Sequence, residues 1–243
     1  MIKLEHTVLP SSEQMQFVIE GMRNPMNSWD KSDSVKCYAN EKCQGICNEN
    51  KIGLCVGDND RSLMQRLSNA GTDHRKFMRM MPVFVRITAP LYWWKEADTY
   101  KIGTVANSCS TMHKIQEKEF TLDDFSHEHL VKTNLLDIII DDLNSNRTIY
   151  NDYDNQSDEF KAKFSKKDVW WQMIQLLPSS YNQTRNVMLN YEVLTNIYKS
   201  RKHHKLDEWR YFCKWIEELP FSDLITHNIG EVGSSDNRKD GNE

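Results

Sequence analysis

The chain has 243 residues, 39% of them hydrophobic and 10% aromatic, which is enough to bury a sizeable core. Its formal charge of −4 lacks the basic excess of a dedicated duplex-binding protein and argues against nucleic acid as a partner. No apolar run approaches the roughly 18 residues of a membrane span, and the opening MIKLEHTVLPSSEQ has no basic stretch followed by an apolar core, so a cytoplasmic protein with no membrane partner is expected.

In chain order, Met15, Val18, Ile19 and Met22 follow Ser12 and Glu13 at the spacing of a short helix. Asn24-Pro25 marks a turn, and the polar stretch to Asn50 reads as loop. Four of the six cysteines cluster in this stretch and just after it (Cys37, Cys43, Cys47 and Cys55); Cys109 and Cys213 lie further on. Only Cys43 and Cys47 approach the spacing of a zinc knuckle and no second pair mirrors them, so free thiols and no metal are expected. Ile52 to Val56 predicts a short strand. Asn59 or Asp60 would cap a helix through Leu63, Met64 and Leu67 that stops at Asn69-Ala70-Gly71.

Val83, Val85 and Ile87 alternate with Phe84, Arg86 and Thr88, a strand with one core face and one mixed face. Pro82 stands at its start, where a missing donor is tolerated. Pro90 would open a helix at the position proline favours, with Leu91, Trp94, Lys95 and Asp98 on one side. The stretch GTVANSCSTMH from Gly103 to His113, rich in hydroxyls and amides, reads as a ligand-lining loop.

Residues 121 to 143 read as helix, with Thr121 and Asp124 as a capping box, and the polar run Asn144 to Gln156 breaks it. Further helices are predicted over Asp168 to Leu177, Asn186 to Ser200 and Leu206 to Leu219. His203 and His204 diverge on a helix and would not chelate a metal together. Trp93-Trp94 and Trp170-Trp171 each read as one core and one interface residue. Residues 1–228 are expected to form one domain, with 1–58 its variable N-terminal part, and 229–243 a disordered tail.

Two blocks, Asp60 to Lys114 and Leu177 to Trp215, carry a resemblance. A helix, Gly71, His74, Phe77, a strand ending in Ala89-Pro90, then Lys95-Glu96 and TYKIGTVANSCSTM reproduce the order of elements in the flavin-dependent thymidylate synthases. Leu177-Pro178, Thr184-Arg185, Asn190, Leu194, Asn196 and Arg201 resemble a second run of that family. The side chains of the family's signature differ: its R-H-R falls on Thr99, Tyr100 and Lys101, its N-E on Ala106 and Asn107. The serine beside the pyrimidine falls on Cys109, and the R-Y on Thr111 and Met112.

The resemblance implies an α+β fold, a small and mainly antiparallel sheet packed with several helices, in a homotetramer with shared sites. It implies FAD as cofactor, with folate as a carbon donor, and a pyrimidine nucleotide such as dUMP as partner. It puts Cys109 beside the pyrimidine and Lys101 near it, and these two are the candidates for the chemistry: Cys109 reads as a redox or covalent nucleophile facing pyrimidine C6, or, more blandly, as a buried, inert thiol. Arg185, Arg201, Glu96, Asn107, Ser108 and Ser110 fall on the substrate, and His74, Tyr100, Lys101, Thr104, Asn190 and Asn196 on the cofactor. In the family the two arginines hold the nucleotide phosphate, a task suited to a forked donor. Two activities follow from the altered signature: methylation or hydroxymethylation of a pyrimidine deoxynucleotide, or nucleotide binding on the same fold without flavin chemistry.

Overall fold

The computed structural model describes residues 1–37 and 52–227; Cys43, Cys47 and the predicted tail lie outside them. The elements run β1 (Lys3–Val8), α1 (Ser12–Arg23), β2 (Val35–Lys36), β3 (Leu54–Cys55), α2 (Asp58–Asn69), β4 (Pro82–Pro90), α3 (Leu91–Ala97) and β5 (Val105–Ser108). After these come α4 (Thr111–Lys114), α5 (Asn134–Asn151), α6 (Asp158–Lys163), α7 (Lys166–Leu176), β6 (Asn182–Asn190), α8 (Tyr191–Arg201), α9 (Asp207–Glu217) and α10 (Asp223–Thr226). β1, β4, β6 and β5 form one sheet in that order, and β2 pairs with β3. β1 runs antiparallel to β4 and β5 to β6, so the expected α+β architecture with a small antiparallel sheet is present.

The chain divides into two compact units. The first comprises residues 1–8, 83–189 and 204–212. Its sheet turns Val83, Val85, Ile87 and Ala89 to a buried side, as the alternation in β4 demands. α5 lies on α7 through Leu136, Ile140, Leu143 and Met173, with Phe120 and Phe125 in the same cluster. Trp93 and Trp94 are both buried, 2% and 3% exposed, and meet edge to face at 4.9 Å, so neither is the interface residue expected of the pair. Trp93 also stacks at 4.6 Å on Trp209, which occupies the first half of α9.

The second unit comprises residues 9–82 and 190–203 and the chain from Cys213, within the described residues. α1 buries Met15, Val18, Ile19 and Met22, the predicted face, and Ser11 with Gln14 closes its capping box one residue before the expected start. α8 buries Leu194, Ile197 and Tyr198 and lies beside α10 and the 3-10 turn Lys76–Met80. α2 starts at Asp58 after Gly57 and is capped by neither Asn59 nor Asp60: the Asp33 carboxylate accepts the Asn59 and Asp60 N–H groups, and the Asp60 side chain is drawn inward. There its carboxylate accepts from Arg23 Nε at 2.6 Å, from the Ser32 and Ser34 hydroxyls, and from the backbone N–H groups of Asp33 and Ser34. Burial pushes its pKa up, but the bonds from Ser34, Arg23 and Ser32 outweigh burial and hold it below the ordinary carboxylate value.

Four predicted elements differ. Val105–Ser108 is a strand rather than loop, since its backbone finds the edge of β6: Val105 faces Met188 and Ser108 faces Arg185. Asn182–Asn190 is that strand, so the predicted helix from Asn186 begins only at Tyr191. Thr121 and Asp124 do form a capping box, but on a single 3-10 turn, Leu122–Asp124, and the long helix starts at Asn134. Asn144 to Asn151 continues α5 because Asn144 turns its amide to the Phe120 backbone while Leu143 is buried.

Candidate functional site

The sheet of the first unit has one unburied face, and its polar residues converge there. Alternation puts Glu5 of β1, Arg86 and Thr88 of β4, Thr184 and Asn186 of β6 and Asn107 of β5 on that face. With Ser108 and Cys109 they line an open depression of about 450 Å³, within the size range of small-molecule sites. The Thr88 and Thr184 hydroxyls bond to each other at 2.7 Å, and Arg86 Nε donates to Asn186 Oδ1 at 3.3 Å. The Cys109 N–H donates to Thr184 O at 3.0 Å, which fixes the backbone beside an exposed thiol. The same face continues into an apolar trough with Val8, Phe84, Val105 and Met188, and Arg86, Asn107 and Asn186 line both.

Of the residues assigned from the sequence, Asn107, Ser108 and Cys109 therefore stand together. Others are engaged elsewhere in the same unit. The Glu96 carboxylate accepts from Trp209 Nε1 at 2.8 Å and faces His204 Nε2 at 3.5 Å. His204 Nδ1 accepts the Leu206 N–H, so this histidine is tied to local structure. Ser110 caps the short helix α4 through the His113 N–H. Thr104 Oγ1 donates to Tyr100 O, Tyr100 lies edge-on to Trp209, and Lys101 is exposed on the same turn.

Arg185 is on β6, but its side chain leaves on the side opposite Thr184 and Asn186. It is 15% exposed: Nε donates to Gln183 Oε1 at 2.9 Å, Nη1 to Asp98 Oδ1 at 2.7 Å, and its carbon centre lies 4.1 Å from the Trp94 ring. In the second unit, Asn190 caps α8 by accepting the Val193 N–H, Asn196 accepts from Arg75, Arg201 ends α8 and His74 is exposed after α2. Asn190 thus stands outside the helix that carries Asn196 and Arg201. Arg86, Thr88, Asn186 and Glu5 are not singled out by the sequence. Their one signal is the mixed face of β4, which gains meaning only once β6 and β5 lie beside it.

No protein-family model and no curated protein matches this chain. Solved structures do. Thymidylate synthase X (ThyX) from Helicobacter pylori, solved with FAD and dUMP, matches 95% of this chain and 99% of its own, with a TM-score of 0.61 at 14% identity. A second structure of the Helicobacter pylori flavin-dependent enzyme, also complexed with FAD and dUMP, matches 94% of this chain and 99% of its own, with a TM-score of 0.56 at 15% identity. The fold is that of the flavin-dependent thymidylate synthases. The expected fold is therefore present over nearly the whole chain, and at these identities the likeness is one of fold. Among the described residues no group of His, Cys, Asp and Glu is arranged to hold a metal, and no helix is long and apolar enough to cross a membrane.

Proposed function

We propose that this chain is a flavin-dependent enzyme that methylates or hydroxymethylates a pyrimidine deoxynucleotide such as dUMP. The observation that carries the reading is the depression on the sheet. Asn107 and Cys109, the positions at which the sequence resemblance puts the pyrimidine, line it together in a fold shared with enzymes solved with FAD and dUMP. Cys109 is the strongest nucleophile in that lining. Its thiolate would add to C6 of the ring and move the C5–C6 electron pair onto the ring carbonyl as an enolate, which makes C5 nucleophilic. The amides of Asn107 and Asn186 and the Thr88–Thr184 hydroxyl pair can meet the edge of a pyrimidine with both donors and acceptors.

The residues that the resemblance assigns to FAD fit it in part. Lys101 and His74 present exposed side chains, whereas Thr104, Asn190 and Asn196 already bond within the chain. FAD, when bound, supplies the redox chemistry, and the protein supplies binding, orientation and charge. The exposed Lys101 ammonium would meet an anionic part of the cofactor as a point charge.

The test is a visible absorbance spectrum of the purified chain, mixed with FAD and then titrated with dUMP. A flavin spectrum that responds to dUMP, with tritium released from C5-labelled dUMP when a folate carbon donor is added, is the expected result. A chain that takes up no flavin and leaves C5 untouched would sink the reading.

A further inference from the structure

We infer that Arg86, rather than Arg185, is the phosphate-binding arginine of the depression that Cys109 lines; the inference rests on the nucleotide reading above. The two arginines differ in what they have left to give. On Arg185, Nε is held by Gln183 and Nη1 by the Asp98 carboxylate, and the plane rests on Trp94. Its charge is answered within the chain by Asp98, its Nε and Nη1 are both engaged, and it sits behind β6 relative to Thr184 and Asn186. A phosphate arriving there would have to displace Asp98.

Arg86 is exposed and lines the depression with Asn107, Cys109, Thr184 and Asn186. Among the described residues it forms no ion pair, and its single hydrogen bond, Nε to Asn186 Oδ1, is long at 3.3 Å. Asn186 therefore orients the guanidinium while both Nη groups stay open, the arrangement that donates to two phosphate oxygens side by side. β4 gives it a rigid base, since Val85 and Ile87 on either side are buried. Glu5 faces Arg86 across the β1–β4 pair and lines the same depression. It sets an upper limit on the affinity for a dianion and disfavours free inorganic phosphate, so ring contacts must supply the rest.

The experiment is calorimetric titration of the unmodified chain and of Arg86→Ala, Arg86→Lys, Arg185→Lys and Glu5→Gln with dUMP, deoxyuridine and inorganic phosphate, each variant checked by thermal melting. Arg86→Ala should weaken dUMP about tenfold or more, the scale of lost charge-assisted hydrogen bonds, and leave deoxyuridine nearly unchanged. Arg86→Lys should recover part of that loss, and Glu5→Gln should tighten dUMP about two- to fivefold. Arg185→Lys should melt earlier yet bind dUMP like the unmodified chain. If dUMP binds and Arg86→Ala does not weaken it, or weakens deoxyuridine equally, the assignment fails while the nucleotide reading stands. If the unmodified chain binds neither dUMP nor deoxyuridine, with or without FAD, the nucleotide reading fails and takes the assignment with it.

Discussion

Two polar centres, one in each unit, are built from the same kinds of group and end in opposite states. Around Asp60, an arginine, two serine hydroxyls and two backbone N–H groups close on one carboxylate, and the side chains of Asp60 and Arg23 are 0% and 4% exposed. On the open face of the sheet, an arginine, a glutamate, two asparagines and two threonines converge with few bonds among themselves. The first centre encloses its carboxylate completely, leaves only Arg23 Nη2 buried without a partner, and ties the segment after α1 to the start of α2. The second keeps donors and acceptors facing solvent at a fixed spacing. The same chemistry is structural when its hydrogen bonds close internally and available for binding when they do not.

The contrast can be broken most sharply at Asp60. Asp60→Ala should cost about 3–5 kcal/mol, because it leaves the Arg23 guanidinium buried without its counter-charge; urea unfolding measures it, and a loss under about 1 kcal/mol would mean the knot is not structural. Acid should act on the same group. The folded-state pKa of Asp60 lies below the ordinary value of 3.8, so its contribution is complete above that value and is lost as pH falls through the lower folded value. Unfolding midpoints should therefore hold near neutral pH and drop once pH passes below the ordinary value. Asp60→Asn should flatten that drop, leaving the part owed to Asp124 and Asp168, whose pKa values are also lowered. The smallest effect is expected at the open centre: Asn107→Ala and Cys109→Ser should change stability by no more than about 0.5 kcal/mol, as exposed positions do. A larger loss at either would mean that the depression, too, is a structural knot.

Elements governed by their own periodicity are legible in the amino-acid sequence alone. α1, β4 and α7 announce themselves by apolar spacing, and the Thr121–Asp124 box is real although it caps only one turn. β5 and β6 are not legible, because Val105–Ser108 and Asn182–Asn190 have weak patterns and become strands by pairing, β6 between β4 and β5 and β5 on the edge of β6. Polar Asn144 to Asn151 reads as a break, yet helix propagation adds a bond per residue and carries α5 through. The site follows the same division. Asn107, Ser108 and Cys109 can be found from the order of the surrounding elements. Arg86 and Asn186 lie 100 positions apart, and only the sheet order makes them neighbours.

β5 joins β6 through backbone groups, with Val105, Ala106, Asn107 and Ser108 opposite Met188, Val187, Asn186 and Arg185. All four β5 side chains are exposed, so the ladder asks almost nothing of their identity. A segment held in this way can exchange its chemistry residue by residue while its position stays constant. The sheet edge is a mounting rail: what is carried on it can be replaced without rebuilding the frame.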